Sequence, residues 1–256
     1  MFQIENPAGF VVREEAHKAA YENGFRIGLG VRNGWLGYRS TTARGDTWIG
    51  RTASQGPWLL SITHAAVAAE LGIPPAEGIP GPGLATYAFA TLGQLYQALD
   101  RVYKLGVSLP TAPLEAFQQA TAHLPRTTEV ERLVVQRVGQ DLFRGALLEY
   151  WGGRCPLTGI TDPELLRASH IVPWAECESD ALRLDVHNGL LLSALWDAAF
   201  DAGLISFADD GTVLRSPNLT ASAATALTLD TAPPLQPLTD LHRANLARHR
   251  EEHSHA

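Results

Sequence analysis

The sequence predicts an α+β fold in two domains, a mixed α/β domain over residues 1–124 and a second domain over residues 125–256. The chain has 256 residues, which is more than one domain usually holds. Apolar residues make up 45% of it and charged residues 18%, a balance typical of a globular protein. Pro110, Pro113 and Pro125 punctuate the stretch between two helical patterns, and we place the domain boundary there.

Helices and short strands are mixed in the first half. Residues 12–24 have the composition of a helix that Gly24 closes. Further helices are predicted at residues 58–71, 92–105 and 114–122. Strands are predicted at residues 26–31, 46–50 and 85–90.

The second half begins with the clearest helix pattern of the chain, residues 127–150. Thr127 or Thr128 can cap its N-terminus, glutamates follow in the first turn, and leucines and valines recur at helical spacing. A short strand should end near His170, because Pro173 breaks the apolar run that contains it. We further expect a turn at residues 154–160, a helix at 190–200, a strand at 203–207 and a hairpin turn at 209–211.

Composition excludes several classes of protein. No apolar run approaches the roughly 20 residues that a membrane-spanning helix needs. The N-terminus also lacks a basic region followed by an apolar core, so we expect a cytoplasmic protein with no membrane partner. The cysteines are Cys155 and Cys177 alone, which fits a reducing compartment and excludes a four-cysteine zinc site.

The distribution of charge weighs mildly against strong nonspecific binding to nucleic acid. The net charge is −7. Residues 1–124 hold nine basic and nine acidic residues, whereas residues 125–256 hold eleven and eighteen. Binding depends on a local basic face and not on the total charge, and a bound divalent cation would change the field near the acids.

Four residues of the second half form a chemically coherent set: His170, Asn188, Asp197 and Asp201. Hydrolysis of a phosphodiester needs a base that activates water and a divalent cation that stabilises the developing charge. An imidazole suits the base, and an Asn carbonyl could accept a hydrogen bond from its second nitrogen. Asp197 and Asp201 are four residues apart, so on a helix they share one face and can offer carboxylate oxygens to a hard cation.

Within residues 137–216, the sequence contains in this order Gln140, Phe143, Arg144, Cys155, Thr158, Gly159, Ser169, His170, Ile171, Pro173, Trp174, Asn188, Gly189, Leu190, Asp197, Phe200, Asp201, Gly203, Ile205, Ser206 and Phe207. This ordered set resembles the HNH nuclease family. The resemblance implies a ββα-metal nuclease domain, preceded here by a DNA-recognition domain. It also implies that His170 activates water, that Asn188 braces the finger and orients His170, and that Asp197 binds the metal.

Two positions depart from the common pattern of that family. Ser169 stands where many members have an acid or histidine as first metal ligand, and Trp196 stands where many have a histidine. The ligand role therefore falls on Asp197, with Asp201 and Ser169 as further candidates. We expect Mg²⁺ or Mn²⁺, with other transition metals as alternatives. Cys155 lacks a Cys-x-x-Cys partner, so no structural zinc is expected.

Candidate DNA contacts occur in both halves. Arginines can pair with phosphates while aromatic faces stack on bases, and the alternative is an ordinary β-core with arginines on its surface. In the second half, the candidates are either phosphate contacts or solvated charges at helix faces and at a frayed helix end. The first half offers Trp35, Tyr38, Arg39, Arg44 and Trp48, and the second half offers Arg144, Arg154, Arg248 and Arg250.

The order of the two domains is similar to that of modification-dependent HNH restriction endonucleases. By that likeness the partner is double-stranded DNA, with 5-methylcytosine or another altered base read by residues 1–124. One finger cuts one strand, so a homodimer is expected for a double-strand break. Two alternatives remain: a nicking or structure-specific nuclease indifferent to modification, and a nucleic-acid-binding protein with an inactive finger.

Overall fold

A computed structural model describes residues 4–53, 56–125 and 127–254. The chain has a mixed α+β architecture and divides into two compact units, Met1–Ala112 and Pro113–Ala256. This division lies 12 residues before the boundary that we predicted. Helix α4 (Thr111–Thr121) accounts for the difference, because Phe117 and Trp174 both lie against Gly139 of the second unit.

The first unit is built on a five-stranded antiparallel sheet whose strands neighbour each other in chain order. Three helices accompany it: α1 (Phe10–Glu22), α2 (Ala65–Glu70) and α3 (Leu92–Ser108). The strands are β1 (Ile27–Arg32), β2 (Trp35–Arg39), β3 (Asp46–Arg51), β4 (Trp58–Ile62) and β5 (Ala85–Phe89).

Trp35, Trp48 and Leu59 project from three strands of this sheet and form a buried cluster with Ile79. Gly37 lies opposite Trp48 in the register of β2 and β3, and a Cβ at Gly37 would approach the indole to 2.6 Å. The glycine is therefore required by the close approach of an aromatic ring. This packing corresponds to the β-core alternative for the tryptophans of the first half.

One predicted helix of the first unit is wrong in its first part. Residues 58–71 were expected to be helical throughout, but Trp58–Ile62 forms the interior strand β4 and only Ala65–Glu70 is helical. All five residues of β4 are buried. A strand buried on both faces has no alternation of apolar and polar residues, so periodicity does not distinguish it from a buried helix. The strand β2 was not predicted, because four of its five residues are buried and it also lacks the alternation.

The second unit contains a long helix, a strand hairpin followed by a helix, and a closing helix. Thr128 caps α5, because its hydroxyl accepts from the Glu131 amide at 3.2 Å while the Glu131 carboxylate accepts from the Thr128 amide at 2.9 Å. The helices are α5 (Glu129–Tyr150), α6 (Asp180–Arg183), α7 (Ala194–Asp201), α8 (Ala221–Ala226) and α9 (Asp240–Glu252). The strands are β6 (Leu166–His170), β7 (Gly189–Ser193), β8 (Ile205–Phe207) and β9 (Val213–Arg215).

The helix predicted over residues 190–200 is also shorter than expected. Gly189–Ser193 is the fully buried strand β7, and the helix begins only at Ala194. The predicted hairpin turn at residues 209–211 is present, and it joins the antiparallel strands β8 and β9. Among the described residues, no helix has both the length and the apolar character that crossing a membrane requires.

Candidate functional site

The strand pair β6–β7 and the helix α7 bring the predicted chemical groups together. The strands are antiparallel, with His170 at the end of β6 opposite Gly189 at the start of β7. Helix α7 follows β7 directly and packs against β6. As a result Ser169 of β6 meets Asp201 of α7, although 32 positions separate them in the chain.

The imidazole of His170 is held by three neighbours. Its ring stacks on Phe143 at 3.8 Å between centroids with an interplanar angle of 18°, and Trp174 meets it edge-on at 5.6 Å. Nε2 lies 2.9 Å from the backbone oxygen of Arg183. A carbonyl oxygen only accepts, so Nε2 carries the proton and Nδ1 keeps its lone pair.

The protonation of His170 suits a base. Burial lowers the pKa of its imidazole, and this outweighs the hydrogen bond to Arg183, which acts in the opposite direction. The ring is therefore neutral at neutral pH. Within the described part of the chain, Nδ1 forms no hydrogen bond, so it is available to accept a proton from water.

Asn188 braces the loop that follows the base and does not bind the base itself. It is fully buried, its Oδ1 accepts from the Val172 amide at 2.8 Å, and its Nδ2 donates to the oxygens of Val172 at 3.2 Å and Leu182 at 3.3 Å. We expected its carbonyl to accept a hydrogen bond from His170. The acceptor is instead the Arg183 backbone oxygen, so Asn188 acts on His170 only through the loop.

Arg183 ties that loop together. Its guanidinium donates to the Trp174 oxygen at 3.2 Å and to the Asp180 carboxylate at 3.0 Å, and it also donates to the Cys177 oxygen. The same residue therefore fixes the loop with its side chain and holds His170 with its backbone. Sequence reasoning missed it, because every residue type has a backbone carbonyl, so the side chain at position 183 does not predict this hydrogen bond.

Asp197 and Asp201 form a pair of carboxylates one turn apart on α7. The Ser169 hydroxyl donates to Asp201 Oδ1 at 3.3 Å and also lowers the pKa of Asp197 by hydrogen bonding. Even so, burial raises the pKa of both carboxyl groups, and the charge of Asp201 raises that of Asp197 further. Asp197 is half-buried, whereas Asp201 is more exposed at the rim of the site.

The donor set of this pair fits a hard divalent cation. Two carboxylates that repel each other in a partly desolvated site are stabilised by a cation between them. The ligands would be Asp197, Asp201 and the Ser169 hydroxyl, all oxygen donors, which suits Mg²⁺ or Mn²⁺. Among the described residues, no three His, Cys, Asp or Glu side chains form a group that could hold a metal. A hard cation held by few protein oxygens would keep its other positions for water and a phosphate.

A known protein family matches the segment that contains β6, β7 and α7. Residues 155–208 match the family model described as HNH endonuclease. The C-terminal half carries an HNH domain. No curated protein matches the chain. An HNH domain supports a nuclease that acts on DNA, and the match spans β6, β7, α7 and β8.

The two departures from the common HNH pattern have clear structural contexts. Trp196 is buried in the HNH domain with 2% of its surface exposed, so its position points into the core. Ser169 is equally buried but directs its hydroxyl at Asp201. The two cysteines, Cys155 and Cys177, are both buried thiols.

Three of the predicted DNA-contacting arginines of the second unit form hydrogen bonds within the protein. Arg144 donates to the oxygens of Leu166 at 2.8 Å and Pro163 at 2.6 Å, and Arg154 donates to the Gly159 oxygen at 3.1 Å. Arg250 donates to the Phe207 oxygen at 2.7 Å and to Asp209 at 2.8 Å. Arg248 is exposed near the loop that follows His170. It is the best placed of the four to reach a phosphate.

The predicted contacts of the first unit also differ in exposure. Trp35, Tyr38 and Trp48 are buried in the sheet. Arg39 pairs with Asp46 through two hydrogen bonds of 2.6 and 2.9 Å, and Arg44 is exposed. Only the arginines of this set lie where a phosphate could meet them.

Helix α9 packs against β8 of the second unit and lies outside the segment that the family model matches. The basic run near residue 250 is therefore not a frayed helix end: Thr239 caps the helix, and His242, Leu246 and His249 are buried on one face. The helix contributes His253 to the cleft that contains His170 and Asp201. Sequence reasoning missed His253, because it lies in no motif and meets the site only through tertiary packing.

Proposed function

We propose that this protein is a divalent-metal-dependent DNA endonuclease. The observation that supports it most is the arrangement of His170, whose ring is held by Arg183 and Phe143 with Nδ1 left as an acceptor. This base lies in one cleft with Ser169 and Asp201. A base beside an oxygen-rich cation site is what hydrolysis of a phosphodiester requires.

The residues have distinct tasks in the proposed reaction. His170 Nδ1 accepts a proton from the water that attacks phosphorus, and the P–O bond to the leaving sugar oxygen breaks as the new P–O bond forms. Asp197, Asp201 and Ser169 would hold the cation. When bound, the cation supplies electrostatic stabilisation of the phosphate and of the leaving oxygen. Asn188 and Arg183 keep the loop after β6 in place, so that His170 retains its orientation.

We further propose that the first unit selects the DNA and that modified bases are among its targets, as in a restriction enzyme. A compact unit with its own sheet precedes the HNH domain. Exposed arginines lie along its edge strand: Arg32 stacks over Trp48 at 4.9 Å, and Arg26 stacks over Tyr21 at 5.2 Å. Because Trp48 is buried, these arginines are better suited to phosphates than the indole is to bases.

Two further elements of the proposal concern assembly and location. One HNH site cuts one strand, so a double-strand break needs two sites. A two-fold homodimer supplies them with a single self-complementary interface. The cytoplasm is the expected compartment for an enzyme that meets incoming DNA.

A cleavage assay tests the proposal. The protein is incubated with paired plasmids, with and without cytosine methylation, in Mg²⁺, Mn²⁺, Co²⁺ or Ni²⁺. We expect nicked or linear product with the wild type and a loss of about 100-fold or more with His170→Ala. The matched control is His123→Ala, since His123 is exposed and far along the chain from the site.

The outcomes separate the competing functions. Cutting confined to methylated plasmid supports both the nuclease and the modification reader. Equal cutting of both plasmids keeps the nuclease and rejects the reader. If no metal supports cutting, the protein is a nucleic-acid-binding module with an inactive finger. If His170→Ala cuts like the wild type, His170 is not the base.

A further inference from the structure

The cleft beside His170 has a wall that the family match does not include. The cleft has a volume of about 390 Å³, within the range of sites that accept small molecules. One side is formed by Ser169, His170 and Asp201 of the ββα element. The other is formed by His249 and His253, which belong to the C-terminal helix and the residue that ends it. Two histidines therefore face the groups that we assign to the reaction.

The first of these histidines is structural. His249 is buried, stacks on Phe200 at 3.9 Å, and has hydrogen bonds at both ring nitrogens. Its Nδ1 accepts from the Ser206 hydroxyl at 3.0 Å, and its Nε2 donates to the Phe200 oxygen at 3.2 Å. This residue anchors α9 against the HNH domain. Neither nitrogen remains for a substrate.

The second histidine is placed differently. His253 follows His249 by one helical turn, and the two rings lie 4.5 Å apart. It is half-exposed, and its side chain forms no hydrogen bond within the described part of the chain. Its imidazole lies over Gly203, where a Cβ would overlap the ring. Gly203 has a φ of 63°, a backbone conformation that favours glycine. Both this conformation and the contact with His253 therefore require a glycine at position 203.

The cleft is rich in acceptors and poor in donors. Asp201 and the lone pair of His170 both accept, and the Ser169 hydroxyl is already directed at Asp201. A DNA strand brings non-bridging phosphate oxygens, which need donors. The imidazole N–H of His253 is such a donor. A metal-ligand role is less suitable, because among the described residues His253 forms no metal-holding group with the two carboxylates.

We propose that His253 contacts a phosphate of the bound DNA strand beside the bond that is cut. This inference rests on the proposed nuclease function. The imidazole donates a hydrogen bond to a non-bridging oxygen and so positions the strand against His170. The C-terminal helix is therefore part of the substrate-binding surface, although it lies outside residues 155–208, which match the family model.

Two measurements on the full chain test this assignment. The first is cleavage of a plasmid by His253→Ala, His253→Gln and the control His123→Ala. We expect kcat/KM to fall about tenfold to 100-fold in His253→Ala, since a hydrogen bond to a charged group is lost. The glutamine, which keeps an N–H donor, should recover part of that loss. Thermal melting of each variant checks that the fold is unchanged.

The second measurement does not depend on catalysis. Wild-type protein in Ca²⁺ is treated with diethyl pyrocarbonate, and carbethoxylated histidines are quantified by mass spectrometry with and without a short DNA duplex. We expect the duplex to slow modification of His253 severalfold and to leave His123 unchanged. Both histidines have surface exposure, so they are comparable targets.

The outcomes distinguish this inference from the proposed function. Protection of His253 together with impaired His253→Ala supports the phosphate contact. If the wild type cuts but His253→Ala cuts equally well, or if the duplex gives no protection, the contact is rejected and the nuclease stands. If the wild type does not cut in the presence of any of the tested metals, the nuclease is rejected, and the protection measurement alone decides whether His253 contacts DNA.

Discussion

At the scale of single residues, the groups around the His170 imidazole occupy one ring nitrogen and leave the other, Nδ1, as a hydrogen-bond acceptor. Phe143 stacks on His170, and the backbone oxygen of Arg183 accepts a hydrogen bond from His170 Nε2. The partly buried setting disfavours the imidazolium form. These contacts fix the tautomer of a histidine at a strand end, which the proposed role as general base requires.

The lowered pKa of His170 predicts the acid limit of activity. A base must be neutral, and burial moves the pKa of this imidazole below its ordinary value of about 6.5. We expect the acid limb of the kcat/KM profile to lie below that value. Initial rates of plasmid nicking across pH, at constant ionic strength and metal concentration, measure it. An acid limb above pH 7 would contradict the assignment of His170 as the base.

The carboxylate pair predicts a change in stability with pH. The pKa values of Asp197 and Asp201 are raised in the folded state, so ionisation of these groups opposes folding. The penalty is absent at pH values below the unfolded pKa and develops as pH rises through the folded pKa. Asp197→Asn should therefore raise the melting temperature of the metal-free protein at pH 8 by a few degrees.

The same substitution should have a smaller effect at low pH, because less of the ionisation that opposes folding is then present. Melting curves in EDTA at pH 4 and pH 8 provide the comparison. Asp141→Asn, on an exposed face of α5, is the matched control and should change neither curve appreciably. An equal shift at both pH values would show that the effect is not electrostatic. In cleavage assays Asp197→Asn should be inactive, since it removes a proposed metal ligand.

At the scale of elements, the start of β7 is pressed against α5. A Cβ at Gly189 would overlap Phe143 and would lie 2.9 Å from the Leu147 side chain. Gly189 is opposite His170 in the strand register, and Phe143 is the residue on which His170 stacks. The packing of helix against strand therefore sets the position of the His170 ring.

Gly189→Ala should therefore cost both stability and activity. Overpacking of a core typically destabilises by about 1–3 kcal/mol, and displacement of Phe143 should lower kcat. Gly145→Ala, within α5 itself, is the control: nothing lies within 4 Å of a Cβ there. That substitution should stabilise α5 by about 0.5–1 kcal/mol. Denaturant unfolding measures both values, and equal effects at the two glycines would contradict this account.

Sequence reasoning succeeded for elements with strong local signals and failed for elements defined by burial. The capped helix α5 and the hairpin turn at residues 209–211 were predicted because caps and turns depend on nearby residues. The strands β4 and β7 were read as helix, because every residue in them is buried. Arg183 and His253 were missed, since their roles come from contacts with residues distant in the chain.

At the scale of the whole molecule, the position of the unit boundary is a testable property. The second unit includes α4 from Pro113 onward, and Phe117 of that helix is buried near Gly139 and Trp174. A fragment of residues 113–256 should unfold cooperatively. A fragment of residues 125–256 should be less stable, since the loss of a buried phenylalanine alone costs about 3–5 kcal/mol.

Denaturant titrations of the two fragments, followed by circular dichroism, compare them. Phe117→Ala in the longer fragment is the matched variant and should account for much of the difference between them. Equal stability of the two fragments would place the boundary near residue 124, as the prolines of the connecting stretch suggested.

The closing helix α9 also bears on protein engineering. Its side chains secure the far side of the cleft: Arg250 holds the Phe207 oxygen and Asp209, Asn245 holds the His187 oxygen at 3.0 Å, and His249 stacks on Phe200. A cassette cut at the ends of the family match, residues 155–208, would leave behind this helix together with α5. Anyone grafting the proposed nuclease onto another DNA-targeting scaffold should transplant residues 113–254 as one piece.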